Sequence, residues 1–340
     1  MPNKINAAAI IIPALLLLTG QGVCAKKAGT KGETTVVTTN TPADELWVFP
    51  DDIHSRNLFY GAGGKKHLPG KFLTFVDEDL NGTNPKLDVR DENGVRWRAK
   101  LGVESQPETV ASRLLWGIGY HVDEDYFLGS AQICGLPAHL RRGQNLLRAD
   151  GTFHNLRLKR HEKDRKKIGA WSWSNGPFRD TRELNGLRVV MALINNWDLK
   201  DENNAIYEEH GKRIYEVSDL GASFGTSGVR LVKKAAKGNL TSFRRSKFIT
   251  KTTPDYVDFA TPSLPSVPYL FNPWQYVRRA RLRWIGRHID RADAKWAGQL
   301  LGQLSTEQIE DAFRAAGYSQ PEAGAFTNIL RTRIEQLNAL

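Results

Sequence analysis

The chain has 340 residues, of which 40% are hydrophobic and 25% are charged. This length supports one large domain or two ordinary domains with hydrophobic cores, and the composition excludes a disordered chain, a collagen and a small disulfide-linked scaffold. The 48 Lys and Arg residues exceed the 37 Asp and Glu residues by 11. We therefore expect anionic partners such as nucleotides, nucleic acids or acidic lipids, among which net charge alone does not choose.

The N-terminal segment has the pattern of a secretory signal peptide over residues 1–25. Lys4 precedes a mostly apolar run over 7–18, and small residues follow up to Ala25. A helix of about 12 residues covers about 18 Å, which is shorter than the hydrocarbon core of a membrane at about 30 Å. Export with cleavage after Ala25 is therefore favoured over a membrane span. A lipoprotein anchored through Cys24 is the less favoured alternative.

Residues 26–45 are rich in Thr, Gly and Lys and show no sustained hydrophobic period. This composition predicts a flexible linker. A folded domain is then expected over 46–340, and we find no internal repeat within it.

The first part of the domain is predicted to be rich in strands. Short β-prone runs lie between residues 72 and 101, and Asn93-Gly94 between two alternating runs is a strong hairpin signal. Further strands are predicted over 126–136 and 152–160. Cys134 lies among apolar neighbours, so we expect a buried packing residue there and not a nucleophile.

A helix of about 12 residues is predicted to follow the first strands. Ser105 and Glu108 have the spacing of a capping box, and Pro107 suits the first helical turn. In this interpretation Glu108 stabilises the helix start and has no chemical role.

The second half of the domain is predicted to be mainly helical. The residues 180–183 cap a helix with apolar residues at helical spacing, two short strands are expected over 204–207 and 213–217, and helices follow from 272 onward, with starts at Ser305 and Ser319. Strands followed by helices predict an α+β protein with two lobes. The N-lobe is expected over about 46–140 and the C-lobe over about 150–340.

The loop after the helix that starts near residue 182 carries the side chains that phosphoryl transfer requires. That reaction needs a carboxylate to accept a proton, a cation near the transferred phosphate, and oxygen ligands for magnesium. Asp198, Lys200 and Asn203 supply one of each type. Asp219 follows sixteen residues after Asn203 and offers a second metal ligand, and Gly221 lets the backbone turn close to the site. An ordinary polar loop is the structural alternative.

These residues resemble the motifs of the protein-kinase-like superfamily. Residues 198–203 match the kinase catalytic-loop pattern D-L-K-x-x-N letter for letter, and 219–221 are similar to the D-F-G metal motif. The resemblance implies that Asp198 acts as base or orienting carboxylate, with Lys200 as its phosphate-facing neighbour. It also implies that Asn203 and Asp219 hold Mg²⁺.

The resemblance extends to residues upstream of the loop. Lys100 matches the lysine of V-A-I-K, and Glu108 is the expected helix partner of that lysine, with Glu104 as the alternative. The glycine-rich phosphate loop of the family is missing, and residues 81–86 take its place, with Gly82 and Thr83 as expected phosphate contacts. The short spacing between lysine and glutamate is similar to the atypical and lipid-kinase branches. Lys100 as a solvated edge lysine is the alternative.

The resemblance implies an exported phosphotransferase that moves a phosphoryl group from Mg-ATP to an unknown hydroxyl. An active enzyme is favoured because the four positions that the chemistry needs keep competent residue types, namely Lys100, Asp198, Asn203 and Asp219. Transfer of another part of the nucleotide, such as AMP, is a variant of this reading. A non-catalytic kinase-like binding module is the second hypothesis, and a basic polyanion-binding protein is the third.

The distribution of basic residues indicates where an anionic acceptor is expected. Eight basic residues and no acidic residue lie between Ala222 and Pro254, among them Lys233, Lys234 and Lys237. In a kinase-like fold this block lies where the acceptor docks, so we expect an acidic substrate or a membrane surface there. No usual nucleic-acid-binding motif is visible, and no zinc-ligand spacing is present among the eight His residues.

Overall fold

The structure is a computed structural model that describes residues 43–82, 84–162, 165–196, 198–225, 236–260, 277 and 281–340. The expected signal peptide and Thr83 lie outside the described residues, as do Lys233 and Lys234. Among the helices of these ranges, none combines the length and the apolar character needed to cross a bilayer.

The protein contains both strands and helices, as predicted, with strands concentrated in the first part and helices in the last. The strands are β1 Ala43–Glu45, β2 Leu73–Asp79, β3 Lys86–Asp91, β4 Arg96–Leu101, β5 Asp125–Cys134, β6 Thr152–Arg160, β7 Lys166–Gly169, β8 Asn204–Glu209, β9 Lys212–Val217, β10 Ile249–Thr252, β11 Tyr256–Phe259 and β12 Ile289–Asp290. The α-helices are α1 Ser105–Gly117, α2 Arg182–Leu193, α3 Leu240–Arg245, α4 Arg291–Gly302, α5 Thr306–Ala315 and α6 Gln320–Asn338.

Five strands form a closed barrel in the order β2-β3-β4-β6-β5. Alternation along β4 turns Trp97 and Ala99 into the barrel core, where each is at most 1% exposed. The same alternation turns Arg98 and Lys100 to the outer face. Cross-strand register places Lys100 opposite both Lys86 and Arg157, and places Arg98 opposite both Asp88 and Lys159. The outer face of three neighbouring strands is therefore charged.

The predicted hairpin at Asn93-Gly94 joins β3 to β4. Gly94 has a φ of 78°, a left-handed conformation that glycine adopts without strain. The carboxylate of Asp91 organises the turn: Oδ1 accepts from the backbone N–H of Val95 at 2.9 Å, and Oδ2 accepts from Nε1 of Trp97 at 2.9 Å. The turn is thus stabilised by its own sequence and anchored to the barrel core.

Helix α1 begins differently from the prediction. Glu104 is its N-cap residue and makes no side-chain capping bond, so the capping box expected from Ser105 and Glu108 is wrong. The hydroxyl of Ser105 donates to the backbone oxygen of Lys100 at 3.0 Å. Glu108 lies in a salt bridge with Lys100 and is 1% exposed. The carboxylate of Glu108 therefore pairs with Lys100 and does not cap the helix.

Helix α1 joins two different environments. Its apolar residues Val110 and Leu114 are buried in the larger hydrophobic cluster, which includes most of the helical part of the chain. Its polar residues contact the barrel: Ser112 Oγ donates to Asp125 Oδ2 at 2.7 Å, and Arg113 donates to the backbone oxygen of Asp125 at 2.6 Å. The barrel interior forms a separate hydrophobic cluster. Apolar packing therefore holds α1 to the helical part, and hydrogen bonds and charges hold it to the barrel.

The later part of the chain contains two small sheets and the remaining helices. Strands β1, β9, β8 and β7 form one sheet in that order, and β10, β11 and β12 form the other. The predicted capping boxes are present: Ser305 accepts from the backbone N–H of Gln308 at 3.1 Å, and Glu322 accepts from that of Ser319 at 3.1 Å. Asp290, Thr181 and Asn239 are the N-cap residues of α4, α2 and α3, and each side chain accepts a hydrogen bond from a backbone N–H of the first turn.

Cys134 is exposed, so the prediction that it is buried is wrong. It is the last residue of β5, where Ile133 points into the barrel core and is 3% exposed. Successive side chains in a strand point to opposite faces, so burial of Ile133 turns Cys134 to solvent.

Candidate functional site

The loop over 198–203 is held in shape by its own side chains. Asn196 Oδ1 accepts from the backbone N–H of Asp198 at 2.9 Å, and Asn203 Nδ2 donates to the backbone oxygen of Asp198 at 2.7 Å. Lys200 Nζ lies 3.0 Å from Asp198 Oδ1 and 3.1 Å from its Oδ2. The local sequence therefore closes the loop and sets the orientation of the Asn203 amide.

The hairpin of β8 and β9 brings Asp219 back to this loop. Asn204 pairs with Val217, so the residues that flank the hairpin, Asn203 and Ser218, are neighbours. Ser218 Oγ donates to the backbone oxygen of Asn203 at 2.6 Å. Asp219 has a φ of 53° and a side chain that is 42% exposed. Aspartate is one of the few non-glycine residues enriched in this left-handed region, which is frequent at functional sites.

Lys100 is the centre of the candidate site. Its Nζ lies 2.8 Å from Glu108 Oε2, 2.7 Å from Glu104 Oε2 and 2.5 Å from Asp219 Oδ1. The two glutamates belong to the start of α1, whereas Asp219 comes from a loop 119 positions later in the chain. The three carboxylates have oxygens within 4.8 Å of one another, and the ammonium of Lys100 supplies the cation among them. The alternative of Lys100 as a solvated edge lysine does not hold, because the residue is only 5% exposed.

Gly221 is required where the loop passes the start of α1. A Cβ at this position would lie 2.6 Å from the Cβ of Glu104 and 2.9 Å from its Oε2. Contacts this short between carbon atoms do not occur without displacement of one partner. The glycine after Asp219 therefore allows the loop to approach α1 and lets both Glu104 and Asp219 contact Lys100.

Glu104 connects the cluster to further residues. Its Oε2 accepts from Asn84 Nδ2 at 2.5 Å, and its Oε1 pairs with Lys237. Lys237 belongs to the basic block for which the sequence predicts acceptor docking, yet in the structure its ammonium forms part of the Lys100 cluster. Asn84, from the loop expected to contact phosphate, and Lys237, from the basic block, therefore both contact the carboxylate of Glu104.

The charges of the cluster shift its pKa values. Burial alone lowers the pKa of Lys100, but the carboxylates of Glu108, Asp219 and Glu104 outweigh burial and raise it well above its ordinary value. Burial raises the pKa of Glu104, but the ammonium groups of Lys100 and Lys237 reverse that effect and hold it at about 2. Complete burial raises the pKa of Glu108, against the opposing effect of Arg157 and Lys100.

A cavity of about 590 Å³ lies between the barrel and the loops. Six of the residues singled out from the sequence line it: Gly82, Lys100, Glu108, Lys200, Asn203 and Asp219. Asp198 is not among the lining residues and reaches the cavity wall through its ion pair with Lys200. The structure thus brings these predicted residues to one place, although Asp198 and Asp219 come from different loops.

Sequence reasoning missed a buried charge network beside the cavity. Arg157 lies 3.4 Å from Glu108 Oε1, donates to Asp125 Oδ2 at 2.9 Å, and pairs with Asp123. Lys159 also pairs with Asp123 and lies 3.5 Å from Glu216 Oε1. The available signal was the alternation of β6, which places Arg157 and Lys159 on the face opposite its apolar residues.

Glu216 belongs to this network and is completely buried. Burial raises its pKa to about 7, although Lys159 and Arg165 act in the opposite direction. The pKa of the nearby Asp123 changes in the opposite direction. Burial raises this pKa too, but the cations Lys159 and Arg157 outweigh burial and lower it well below the ordinary range.

Comparisons with known proteins add little to this geometry. No family model matches the chain, and no curated protein matches it. Among solved structures, the chain is similar to the proinflammatory kinase CtkA of Helicobacter pylori, at 10% sequence identity and a TM-score of 0.39. The similarity covers 78% of this chain and 93% of that chain. A likeness at this level carries no conclusion about activity.

Proposed function

We propose that this protein is an exported phosphotransferase with a two-lobed, protein-kinase-like fold that transfers a phosphoryl group from Mg-ATP to a hydroxyl acceptor. The observation that carries the proposal is the position of Lys100. It lies on the third strand of the barrel and bonds to Glu108 on the following helix and to Asp219 after the β8–β9 hairpin. A strand lysine, a helix glutamate and a metal-binding aspartate are the parts that a kinase active site requires together.

The cavity offers donors that suit magnesium. The amide nitrogen of Asn203 is bonded to the backbone of Asp198, which leaves its oxygen to face a ligand. The carboxylate of Asp219 is partly exposed and lines the same cavity. Carboxylate and amide oxygens are ligands that Mg²⁺ accepts, so Asn203 and Asp219 fit the ion. When bound, Mg²⁺ would neutralise the phosphate oxygens of the nucleotide.

The residues of the chain have defined tasks in this proposal. The acceptor oxygen forms a bond to the γ-phosphorus, the bond from that phosphorus to the β–γ bridging oxygen breaks, and the hydroxyl proton passes to the carboxylate of Asp198. Lys200 holds that carboxylate and faces the transferred phosphate. Lys100 binds the remaining phosphates, oriented by Glu108. Gly82 contributes a backbone contact in the loop between β2 and β3.

The class of acceptor and the export of the protein are also proposed. An acidic substrate or a membrane surface is proposed because of the basic block between Ala222 and Pro254, from which Lys237 is set apart by its pairing with Glu104. Export through cleavage after Ala25 is proposed from the N-terminal pattern. N-terminal sequencing of the protein recovered outside the cytoplasm would support export by a start at residue 26, and recovery of an intact N-terminus inside would contradict it.

The first experiment is a thermal unfolding measurement of the purified protein with millimolar Mg-ATP. A ligand at 100 times its Kd stabilises a fold by about 2.7 kcal/mol, which corresponds to a rise in Tm of about 5 °C for a chain of this size. Asp219→Ala removes a proposed metal ligand and should abolish the rise. Asp311→Ala is the control, because Asp311 lies on α5 and pairs with Arg314 away from the cavity-lining residues.

The outcomes separate the competing functions. No rise in Tm for the wild type at millimolar Mg-ATP would contradict nucleotide binding. A rise without any transfer of phosphate would favour the non-catalytic binding module. Binding of polyanions that is unaffected by Asp198→Ala and Asp219→Ala, with a steep salt dependence, would favour the basic polyanion-binding protein. Transfer of AMP in place of phosphate would be visible as a different mass increase of the product.

A further inference from the structure

Among the residues that the structure describes, the cavity beside Lys100 is lined almost entirely by residues with polar or charged side chains. Sixteen of its seventeen described lining residues carry a charged, amide or hydroxyl group, and the remaining residue is Gly82. Pockets that hold an aromatic ring are lined mainly by hydrophobic and aromatic side chains with a few polar groups. Among the described lining residues, a purine ring would find no aromatic or branched aliphatic side chain to pack against.

The charged wall follows from the register of the barrel. Lys100 pairs across strands with Lys86 and Arg157, and Arg98 pairs with Asp88 and Lys159. These side chains share the outer face of β3, β4 and β6, because their neighbours on each strand fill the barrel core. Strands β3, β4 and β6 therefore present charged side chains to the cavity.

The cations of this wall are all paired with carboxylates but differ in how exposed they are. The buried Arg157 is surrounded by Glu108, Asp123 and Asp125. Lys86 and Arg98 are more accessible, with side chains 22% and 36% exposed, and both contact Asp79. These accessible cations are suited to bind phosphate oxygens through charge-assisted hydrogen bonds.

Two more cations line the cavity from outside the barrel. Lys200 comes from the loop over 198–203 and has a side chain that is 30% exposed. Lys167 lies on β7 and is exposed. Accessible cations from the barrel and from other elements therefore line the same cavity as Lys100, Asn203 and Asp219.

We propose that this cavity recognises its phosphoryl donor through a chain of phosphate groups alone, so that nucleoside triphosphates with any base and linear inorganic polyphosphate are equivalent ligands. This inference rests on the proposed function for its use in transfer, but the binding preference follows from the cavity itself. Both kinds of ligand contain a linear chain of phosphates, carried either by a nucleoside or by inorganic polyphosphate, and the experiment compares these two sources.

The test compares ligands by calorimetric titration of the purified wild-type protein in the presence of Mg²⁺. We expect dissociation constants for ATP, GTP and inorganic tripolyphosphate within about threefold of one another, and no binding of adenosine at millimolar concentration. A preference for ATP of more than tenfold over both GTP and tripolyphosphate would overturn the inference, and so would binding of adenosine.

A pair of variants on one strand tests the wall directly. Arg98 and Arg96 lie two residues apart on β4 and both contact Asp88, but only Arg98 lines the cavity. Arg98→Ala should weaken ATP and tripolyphosphate equally, by about tenfold or more, whereas Arg96→Ala should change either constant by less than about twofold. Equal effects of the two variants, or an effect of Arg98→Ala on ATP alone, would contradict a phosphate-binding wall.

The failure of this inference differs from the failure of the proposed function. Selective ATP binding with transfer of its γ-phosphate would overturn base-independent recognition and leave the phosphotransferase intact. Equal binding of ATP and tripolyphosphate without transfer from either would support the inference and contradict the phosphotransferase. Absence of binding by every triphosphate would overturn both.

Discussion

Replacement of Glu104 by glutamine tests the electrostatics of the Lys100 cluster. The carboxylate of Glu104 contacts Lys100 at 2.7 Å and also pairs with Lys237, and its side chain is 7% exposed. Burial raises its pKa, but these two ammonium groups outweigh burial and lower the pKa from an ordinary 4.5 to about 2. Glutamine keeps the size of the side chain and removes the charge.

The lowered pKa of Glu104 sets both the size of the stability loss and the pH range in which the loss is seen. A lowering of about 2.5 pKa units at about 1.4 kcal/mol per unit corresponds to about 3 kcal/mol of folding free energy. The folded pKa lies below the unfolded pKa, so this stability is present above pH 4.5 and is lost as the pH falls towards 2. Lys100 keeps Glu108 and Asp219 in the variant, so we expect a loss of about 2–3 kcal/mol, near the lower end for a broken buried pair.

Urea denaturation between pH 6 and pH 3 measures this effect. The wild type and Glu104→Gln should differ by about 2–3 kcal/mol at pH 6, and the difference should shrink as the pH falls. Glu335→Gln is the matched control on the exposed face of α6 and should change the unfolding free energy by at most about 0.5 kcal/mol. A difference below that value at pH 6, or a difference that grows with falling pH, would refute the reasoning.

Three further experiments test the fold. Gly221→Ala should cost about 2 kcal/mol in urea unfolding because the new Cβ meets Glu104 at 2.6 Å, whereas Gly129→Ala meets nothing within 4 Å; an equal loss for both would contradict the close approach. Cys134 should be alkylated in the native protein, as peptide mass spectrometry would detect, and a requirement for denaturant would contradict its exposure. Ser305→Ala should cost about 1 kcal/mol by removing the cap of α5, and unchanged stability would argue against that cap.

Much of the local structure could be predicted because it depends on neighbouring residues. The strand over 152–160, the hairpin at Asn93-Gly94 and the capping boxes at Ser305 and Ser319 are determined by alternation, turn chemistry and short-range hydrogen bonds, and all are present. The candidate loop over 198–203 is of the same kind, since its shape comes from bonds among its own residues.

The parts that could not be predicted depend on contacts between distant segments. Ser105 and Glu108 satisfy a local capping pattern, yet Lys100 attracts Glu108 because the register of β4 turns that lysine towards α1. The joint role of Glu104 depends on the approach of Gly221 from more than a hundred positions later. The charged wall that includes Arg157 arises from pairing across β3, β4 and β6, which no single segment reveals.

The most direct test of the proposed activity is the fate of the γ-phosphate of Mg-ATP. The purified protein is incubated with ATP labelled at either the γ- or the α-phosphate, with water and the hydroxyl groups of the chain itself as acceptors. We predict that the wild type releases or transfers the γ-label alone, and that Asp198→Asn and Asp219→Ala each reduce this rate by at least about a hundredfold. If ATP keeps its γ-label in the presence of the wild type, or if Asp219→Ala removes the label at the wild-type rate, phosphoryl transfer at this site is contradicted.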